Sequence, residues 1–255
     1  MYVDFAKALP ALPSTLRCFA LEFNNREPSN HHFQLPRQDS DHLAVALSTQ
    51  LAKSPHLTEI KLSHLIVIGE VIFDGDWPVV EDFDIVLNMT TPTGEWYYEG
   101  IPEGDDDEEG DDDDYFASGN DSVHSSDSDN SEVADTYHED REARASGEEP
   151  VRLFRNRLAP RFDTFLLAMG RAAKRMPRLK RLSLQIRQWE TDAFQVLFFA
   201  EGMDASGENE EDRKKRRWYI TVDEEEWKLS PEVRTVLLEA VGEGLFVYNH
   251  ITFSR

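Results

Sequence analysis

The chain has 255 residues, 40% of them apolar, which is enough for one large domain or two small ones with a real core. Its 50 acidic and 27 basic side chains leave a net charge of −23. That excludes a nucleic-acid binder of the usual electrostatic kind, which needs a dominant basic surface. The excess is local. Residues 103–149 hold 20 Asp and Glu against 2 Arg, a net of −18, and the remainder nets −5.

A single cysteine, Cys18, excludes an intrachain disulfide framework and fits a reducing, intracellular setting, cytoplasmic and/or nuclear. Asp4 and Lys7 interrupt the start of the chain, and Pro10 and Pro13 follow, so no secretory leader is expected. The most apolar run, residues 62–73, is short and contains Ser63, His64 and Glu70, so no membrane span is expected and no membrane partner.

In chain order, the first signal is Leu16-x-x-Phe19-x-Leu21. The same spacing returns as Leu57-x-x-Ile60-x-Leu62, Val80-x-x-Phe83-x-Ile85 and Leu179-x-x-Leu182-x-Leu184. This spacing suits a short strand whose last two apolar residues share a face. Residues 41–53 (DHLAVALSTQLAK) repeat leucine at Leu43, Leu47 and Leu51, a helical period stopped by Ser54-Pro55. Trp96, Tyr97 and Tyr98 follow the turn Pro92-Thr93-Gly94 and alternate like a strand. Two readings are open for them: buried strand aromatics, or an exposed partner-binding patch.

The acidic stretch 103–149 contains no Leu, Ile, Met or Trp, so it buries too little apolar surface to offset chain entropy and is expected to be disordered. Ser118-x-x-Asp121 and Ser126-x-x-Asp129 suit acid-directed kinases. Asp127, Asp129 and Ser131 open like a calcium loop, but Glu132 stands where glycine is needed and His138 where a bidentate glutamate is needed.

Beyond it, residues 162–175 (FDTFLLAMGRAAKR) place Phe162, Phe165, Leu166, Met169, Ala172 and Ala173 on one helical stripe, ended by Met176-Pro177. Strands are expected at 194–200 and 218–222. Ser230-Pro231-Glu232 starts a helix to about Val241, and 245–253 reads as a last strand. Residues 151–189 carry 11 Arg and Lys against Asp163 alone. The centre of that basic belt is Arg171, Lys174, Arg175, Arg178, Lys180 and Arg181, a candidate contact for the acidic stretch at close range. Arg213, Lys214, Lys215, Arg216 and Arg217 form a basic pentad, a candidate nuclear-import run or a turn between strands.

The helix–Pro–strand units argue for an α/β fold: a short, irregular leucine-rich-repeat-like arc, strands inside and helices outside, with the disordered acidic insertion. A plain α/β sheet is the alternative, because the first motif lies 41 residues from the second and the second 23 from the third. Residues 1–102 and 150–255 are expected to form the two parts of one domain around the insert at 103–149.

Residues 9–36, 41–73, 92–100 and 162–184 together resemble, in the same order, the leucine-rich-repeat-like C-terminal region of fungal F-box-type proteins. The resemblance implies a partner- or substrate-presenting arc and no catalytic residues. It further implies docking to a cullin–RING ligase adaptor only where an F-box precedes the repeats. The repeat-like pattern begins within the first ten or so residues, so no F-box is expected in this chain.

No G-x-S-x-G, Walker, G-x-G-x-x-G, H-E-x-x-H or C-x-x-C motif occurs. Cys18, beside Phe19, is expected to be a packed thiol. His31-His32 lacks a second Cys/His pair at zinc spacing, so it reads as a polar loop. The expectation is a non-enzymatic protein-interaction scaffold without catalytic residues, cofactor or metal. The alternatives are a structural remnant without a partner and, further off, a hydrolase-like enzyme with unrecognised residues.

Overall fold

The computed structural model describes residues 2–23, 30–32, 39–100, 152–188, 191–204, 208–222 and 227–250. The acidic stretch expected to be disordered and the candidate phosphosites Ser118 and Ser126 lie outside the described residues. The chain divides into two compact units. The larger takes Met1–Glu27, Gln34–Glu99 and Arg157–Arg255; the smaller takes Pro28–Phe33 and Gly100–Asn156.

In the larger unit, seven strands form one sheet whose order follows the chain: β1 (Cys18–Glu22), β2 (Glu59–Ile66), β3 (Asp82–Leu87), β6 (Arg181–Gln188), β7 (Thr191–Phe199), β8 (Arg217–Val222) and β9 (Leu245–His250). The sheet thus joins strands from both sides of the acidic stretch. β4 (Tyr98–Glu99) and β5 (Arg157–Leu158) pair separately, Tyr98 opposite Leu158, so the chain leaves and re-enters this unit at one place. β1, β2, β3 and β6 run parallel, as do β8 and β9. β7 is antiparallel to both its neighbours. A uniformly parallel arrangement, implied by repeated helix–strand units, fails there for a chain-length reason. Only two residues separate β6 from β7, which a hairpin can span and a parallel crossover cannot.

Alternation decides what each strand buries. In β1, Phe19 and Leu21 are buried while Cys18, Ala20 and Glu22 face outward. The in-facing set continues across the register as Ile60 and Leu62, Phe83 and Ile85, Leu182 and Leu184, Phe198 and Val196, Trp218 and Ile220. On that face lie the helices α2 (His42–Leu51), α3 (Phe162–Arg175) and α5 (Pro231–Val241), with the 3₁₀ turn Glu70–Asp74. The helix ends obey capping chemistry. Asp41 accepts from the Ala44 amide at 2.9 Å, and Ser230 accepts from the Val233 amide at 3.3 Å ahead of Pro231. Gly242 closes α5 with φ +64°, a conformation that L side chains rarely adopt.

The core is strongly aromatic. Phe162 of α3 meets Phe194 of β7 edge-on at 5.0 Å and Tyr97 at 5.4 Å. Phe73 bridges Phe83 of β3 and Phe165 of α3. Truncating one such buried ring costs about 3–5 kcal/mol. The elements not foreseen include α1 (Tyr2–Ala8), the 3₁₀ turns Leu9–Ala11 and Glu70–Asp74, β5 and α4 (Glu210–Arg213).

Candidate functional site

One face of the sheet carries all the described helices of the core, and the other is covered by none of them. On this second face the register sets three parallel rows of side chains. The first runs Cys18, Glu59, Asp82, Arg181, Phe199, Arg217, Leu245; the second runs Ala20, Lys61, Asp84, Ser183, Leu197, Tyr219, Val247. The third includes Glu22, Ser63, Gln185, Gln195 and Thr221. The β1–β3 and β6 side is therefore polar and charged, and the β7–β9 side apolar and aromatic. Leu197, Tyr219, Leu245 and Val247 are half-buried, and Phe199 meets Tyr219 edge-on at 5.9 Å.

Charges on the polar side are partly matched. Lys61 pairs with Glu59, and Arg181 lies 3.9 Å from Asp84. Burial pushes the Asp82 carboxyl up; Arg181 opposes this, while Asp84 and Glu59 add to the rise. Its Oδ1 and the hydroxyl of Ser183 are buried without a hydrogen-bond partner. Cys18 is exposed, not packed, because it alternates with Phe19 and so faces outward. Desolvation and the Glu59 carboxylate push its thiol up, away from thiolate chemistry.

One end of the second face is closed by an ion pair. Arg217 is fully buried, and its Nε donates to Glu208 at 2.5 Å while a second nitrogen bonds the other carboxylate oxygen. The same guanidinium donates to the carbonyls of Met203 and Ala200 at 2.7 and 3.3 Å and lies over the rings of Phe199 and Tyr219. This holds Ala200, Met203 and Glu208, between β7 and β8, against the start of β8.

The pentad is thus not a free basic run. Arg217 is interior and begins β8, Arg213 ends α4 and pairs with Asp204 at 2.8 Å, Lys214 pairs with Glu211, and Arg216 lies over Phe198. The basic belt is solvent-exposed, and most of its charges have an acidic or carbonyl partner at the surface. Lys174 and Arg171 pair with Glu239 and Glu232 of α5, Lys180 with Glu81 at 2.6 Å and Arg181 with Asp84, while Arg175 donates to the Phe73 carbonyl. Arg178 is exposed close to Glu81. Sequence counting saw the charge excess at 151–189, but the balancing acids come from β3 and α5, distant in sequence.

Trp96, Tyr97 and Tyr98 form no exposed partner-binding patch, and that reading is corrected. They are 8, 2 and 3% exposed and join the aromatic core, because the β4–β5 pairing pulls this segment inward. Burial raises the Tyr97 phenol, whose hydroxyl donates to the Ile68 carbonyl at 3.4 Å.

In the smaller unit, His31 is buried rather than part of an open polar loop. Its Nδ1 accepts from the amides of Phe154 and Arg155 at 2.9 and 2.8 Å, and its own amide donates to the Arg152 carbonyl. Burial first, then Arg155 and His32, lower its pKa to about 4, so the ring is neutral at pH 7. An Nδ1 used in this way is not offered to a metal. Among the described residues no group of three or more His, Cys, Asp or Glu stands ready to hold an ion, and no helix is long and apolar enough to cross a membrane.

These features define a mixed α/β protein with a mostly parallel sheet and a one-sided helical layer. Neither the protein-family models, the curated proteins nor the solved structures contain a match to the chain.

Proposed function

We propose that this chain is a non-enzymatic protein-interaction scaffold that presents the second face of its sheet to a protein partner. The observation that supports the reading is the asymmetry of the sheet: core helices cover one face, and the other grades from charged to apolar, with Ser183, Phe199 and Arg217 buried and Leu197, Tyr219, Leu245 and Val247 partly exposed. Half-buried Leu197, Tyr219, Leu245 and Val247 beside Lys61, Asp84 and Gln185 give the mix of anchors and polar contacts on which protein interfaces are built. A strand order that follows the chain, with helices on one side, supports the finer reading as a short, irregular leucine-rich-repeat-like arc. The resemblance to F-box-type proteins belongs to the same reading. Docking to a cullin–RING adaptor is proposed only with an F-box preceding the repeats.

The test is site-specific crosslinking. A photo-crosslinker at Gln195, on the second face, should capture a defined protein partner from cell extract; the same group at Val45, on the outer side of α2, should not. Equal capture at both positions, or capture at Val45 alone, refutes the use of this face.

A further inference from the structure

We infer that Asp82 and Ser183, on the second face of the sheet, form a seat for an arginine side chain of a protein partner. The inference rests on the scaffold reading and deepens it by naming the group that the partner brings.

Two polar atoms on this face have lost water and found no partner. The hydroxyl of Ser183, a residue 1% exposed, and Oδ1 of half-buried Asp82 are both buried without a hydrogen bond. Alternation turns both residues onto the second face, because Phe83 and Ile85 of β3 and Leu182 and Leu184 of β6 turn to the core. A native chain rarely leaves such atoms unmet, and a ligand that meets them restores bonds whose desolvation has already occurred.

Local charge sets the sign of that ligand. The charged groups facing Asp82 are Arg181, Asp84, Glu59 and Lys61. Lys61 is held by Glu59, and Arg181, although opposite Asp82 in the register, reaches towards Asp84 at 3.9 Å. Three carboxylates thus share two cations, and Asp82 is the one left over. When ionised it can only accept, so its missing partner is a cationic donor.

Spacing chooses among the cations. Asp82 pairs with Arg181 and Asp84 with Ser183, so Ser183 lies one strand across and two residues along from Asp82. Strands stand about 4.8 Å apart and rise about 3.3 Å per residue, which makes that step about 8 Å. A guanidinium is a flat fork with donors on opposite sides, and with a hydrogen bond of about 2.9 Å at each end it spans the gap. An ammonium is a compact point charge and does not. The Arg181 side chain is 39% exposed and only loosely held by Asp84, so it yields to the arriving group. Across the sheet Ser183 meets half-buried Leu197, where the apolar side begins. That continuity suits a protein chain, which brings apolar residues along with its arginine.

The test titrates the full chain with a blocked heptapeptide that holds one arginine among alanine and glycine. Nuclear magnetic resonance reads the Asp82 carboxyl and the Ser183 amide. The peptide should shift both signals and move the Asp82 titration to lower pH, because a guanidinium favours the ionised carboxyl that burial disfavours. Peptides with lysine or citrulline in place of arginine should each bind about tenfold more weakly. Free arginine, whose own carboxylate meets Asp84 and Glu59, should also bind more weakly than the peptide. Asp82→Asn should weaken the arginine peptide about tenfold and Ser183→Ala about threefold. Ser183→Ala should leave Tm unchanged, since its hydroxyl has no bond to lose.

No response at Asp82 and Ser183 to the arginine peptide overturns the inference, even if Asp82→Asn fails to fold. Equal binding of the lysine peptide, the citrulline peptide or free arginine overturns it too, as does a lower Tm in Ser183→Ala. The crosslink at Gln195 reads the second face independently. Capture there that is unchanged by Asp82→Asn refutes the arginine seat alone.

Discussion

Arg217 and Glu208 hold each other by two charge-assisted hydrogen bonds in a place where the arginine side chain is 0% and the glutamate 6% exposed. Both charges have lost their water, so the pair survives only because the geometry is bidentate and the remaining guanidinium donors reach backbone carbonyls. Its structural consequence is to fasten Ala200, Met203 and Glu208 to the guanidinium that lies over the rings of Phe199 and Tyr219.

Breaking the pair from one side is expected to be far worse than removing it whole. Glu208→Gln leaves a buried guanidinium without its counter-charge and should cost about 3–5 kcal/mol. Arg217→Met combined with Glu208→Leu removes both charges and should cost less than the sum of the single changes. Urea denaturation of wild type, Arg217→Met, Glu208→Leu and the double variant gives the coupling directly. Additive losses would show that the pair does not act as a unit.

Close approach of α3 to α5 sets a second prediction. A Cβ at Gly170 would lie 2.8 Å from Val236 Cγ1 and 3.0 Å from Leu237 Cδ2. Alanine gains about 0.5–1 kcal/mol of helix propensity over glycine, while forcing an extra methyl into a packed seam costs about 1–3 kcal/mol. Overpacking wins, so Gly170→Ala should lower stability by about 1 kcal/mol, or about 2–4 °C in Tm for a chain of this size. Gly170→Leu should do much more, because Leu237 also supplies the carbonyl that accepts from Trp218 Nε1 at 2.9 Å. A rise in Tm for Gly170→Ala would mean that the seam is slack.

The elements legible in the sequence are those whose signal is local. The apolar stripe of α3 runs from Phe162 to Ala173 in unbroken helical period and matches its observed ends, Phe162–Arg175, while Ser230-Pro231 and Gly242 bracket α5. The x-x-then-alternating motif marked β1, β2, β3 and β6. What could not be read depends on partners far along the chain. Lys180 finds Glu81, and Arg217 has an interior place that its position in a basic pentad conceals. Trp96-Tyr97-Tyr98 reads equally well buried or exposed until the β4–β5 pairing is known. The sheet's outward set was implicit in the alternation of every strand, but choosing which face the helices cover required the assembled fold.

Asp41 joins two parts of the larger unit. One carboxylate oxygen caps α2 through the Ala44 amide, and the other accepts from the Gly69 amide at 2.5 Å, just beyond β2. Asp41→Ala should cost about 1–2 kcal/mol for the lost cap and about 1–3 kcal/mol for the stranded Gly69 donor. Asp41→Asn retains the cap, because its one carbonyl oxygen still accepts from Ala44, and should fall between. Burial pushes the Asp41 carboxyl above its ordinary value, although both amides oppose this. A carboxyl raised in the folded state favours folding at low pH and loses that advantage as pH rises through its folded pKa. The gap between wild type and Asp41→Asn should therefore be widest on the acid side of that window. Thermal unfolding of the three proteins across pH checks both the order and the trend.

His31 carries the clearest pH dependence. Its Nδ1 accepts two amides, so protonation there replaces an acceptor with a donor facing two donors. The groups that face it are Arg155, whose side chain also donates to the His31 carbonyl, and His32; both oppose a further positive charge. An ordinary histidine takes up its proton near pH 6.5, whereas His31 resists until about 4. Above 6.5 both folded and unfolded chains hold the ring neutral, and folding loses nothing. As pH falls from about 6.5 towards 4 the unfolded chain gains a proton that the folded chain refuses, so stability drops, by on the order of 3 kcal/mol in all. Nuclear magnetic resonance should place the ring titration of His31 near pH 4, with the Phe154 and Arg155 amide signals shifting in the same step. A midpoint near 6.5, or amides that ignore it, would show that the imidazole does not hold this turn.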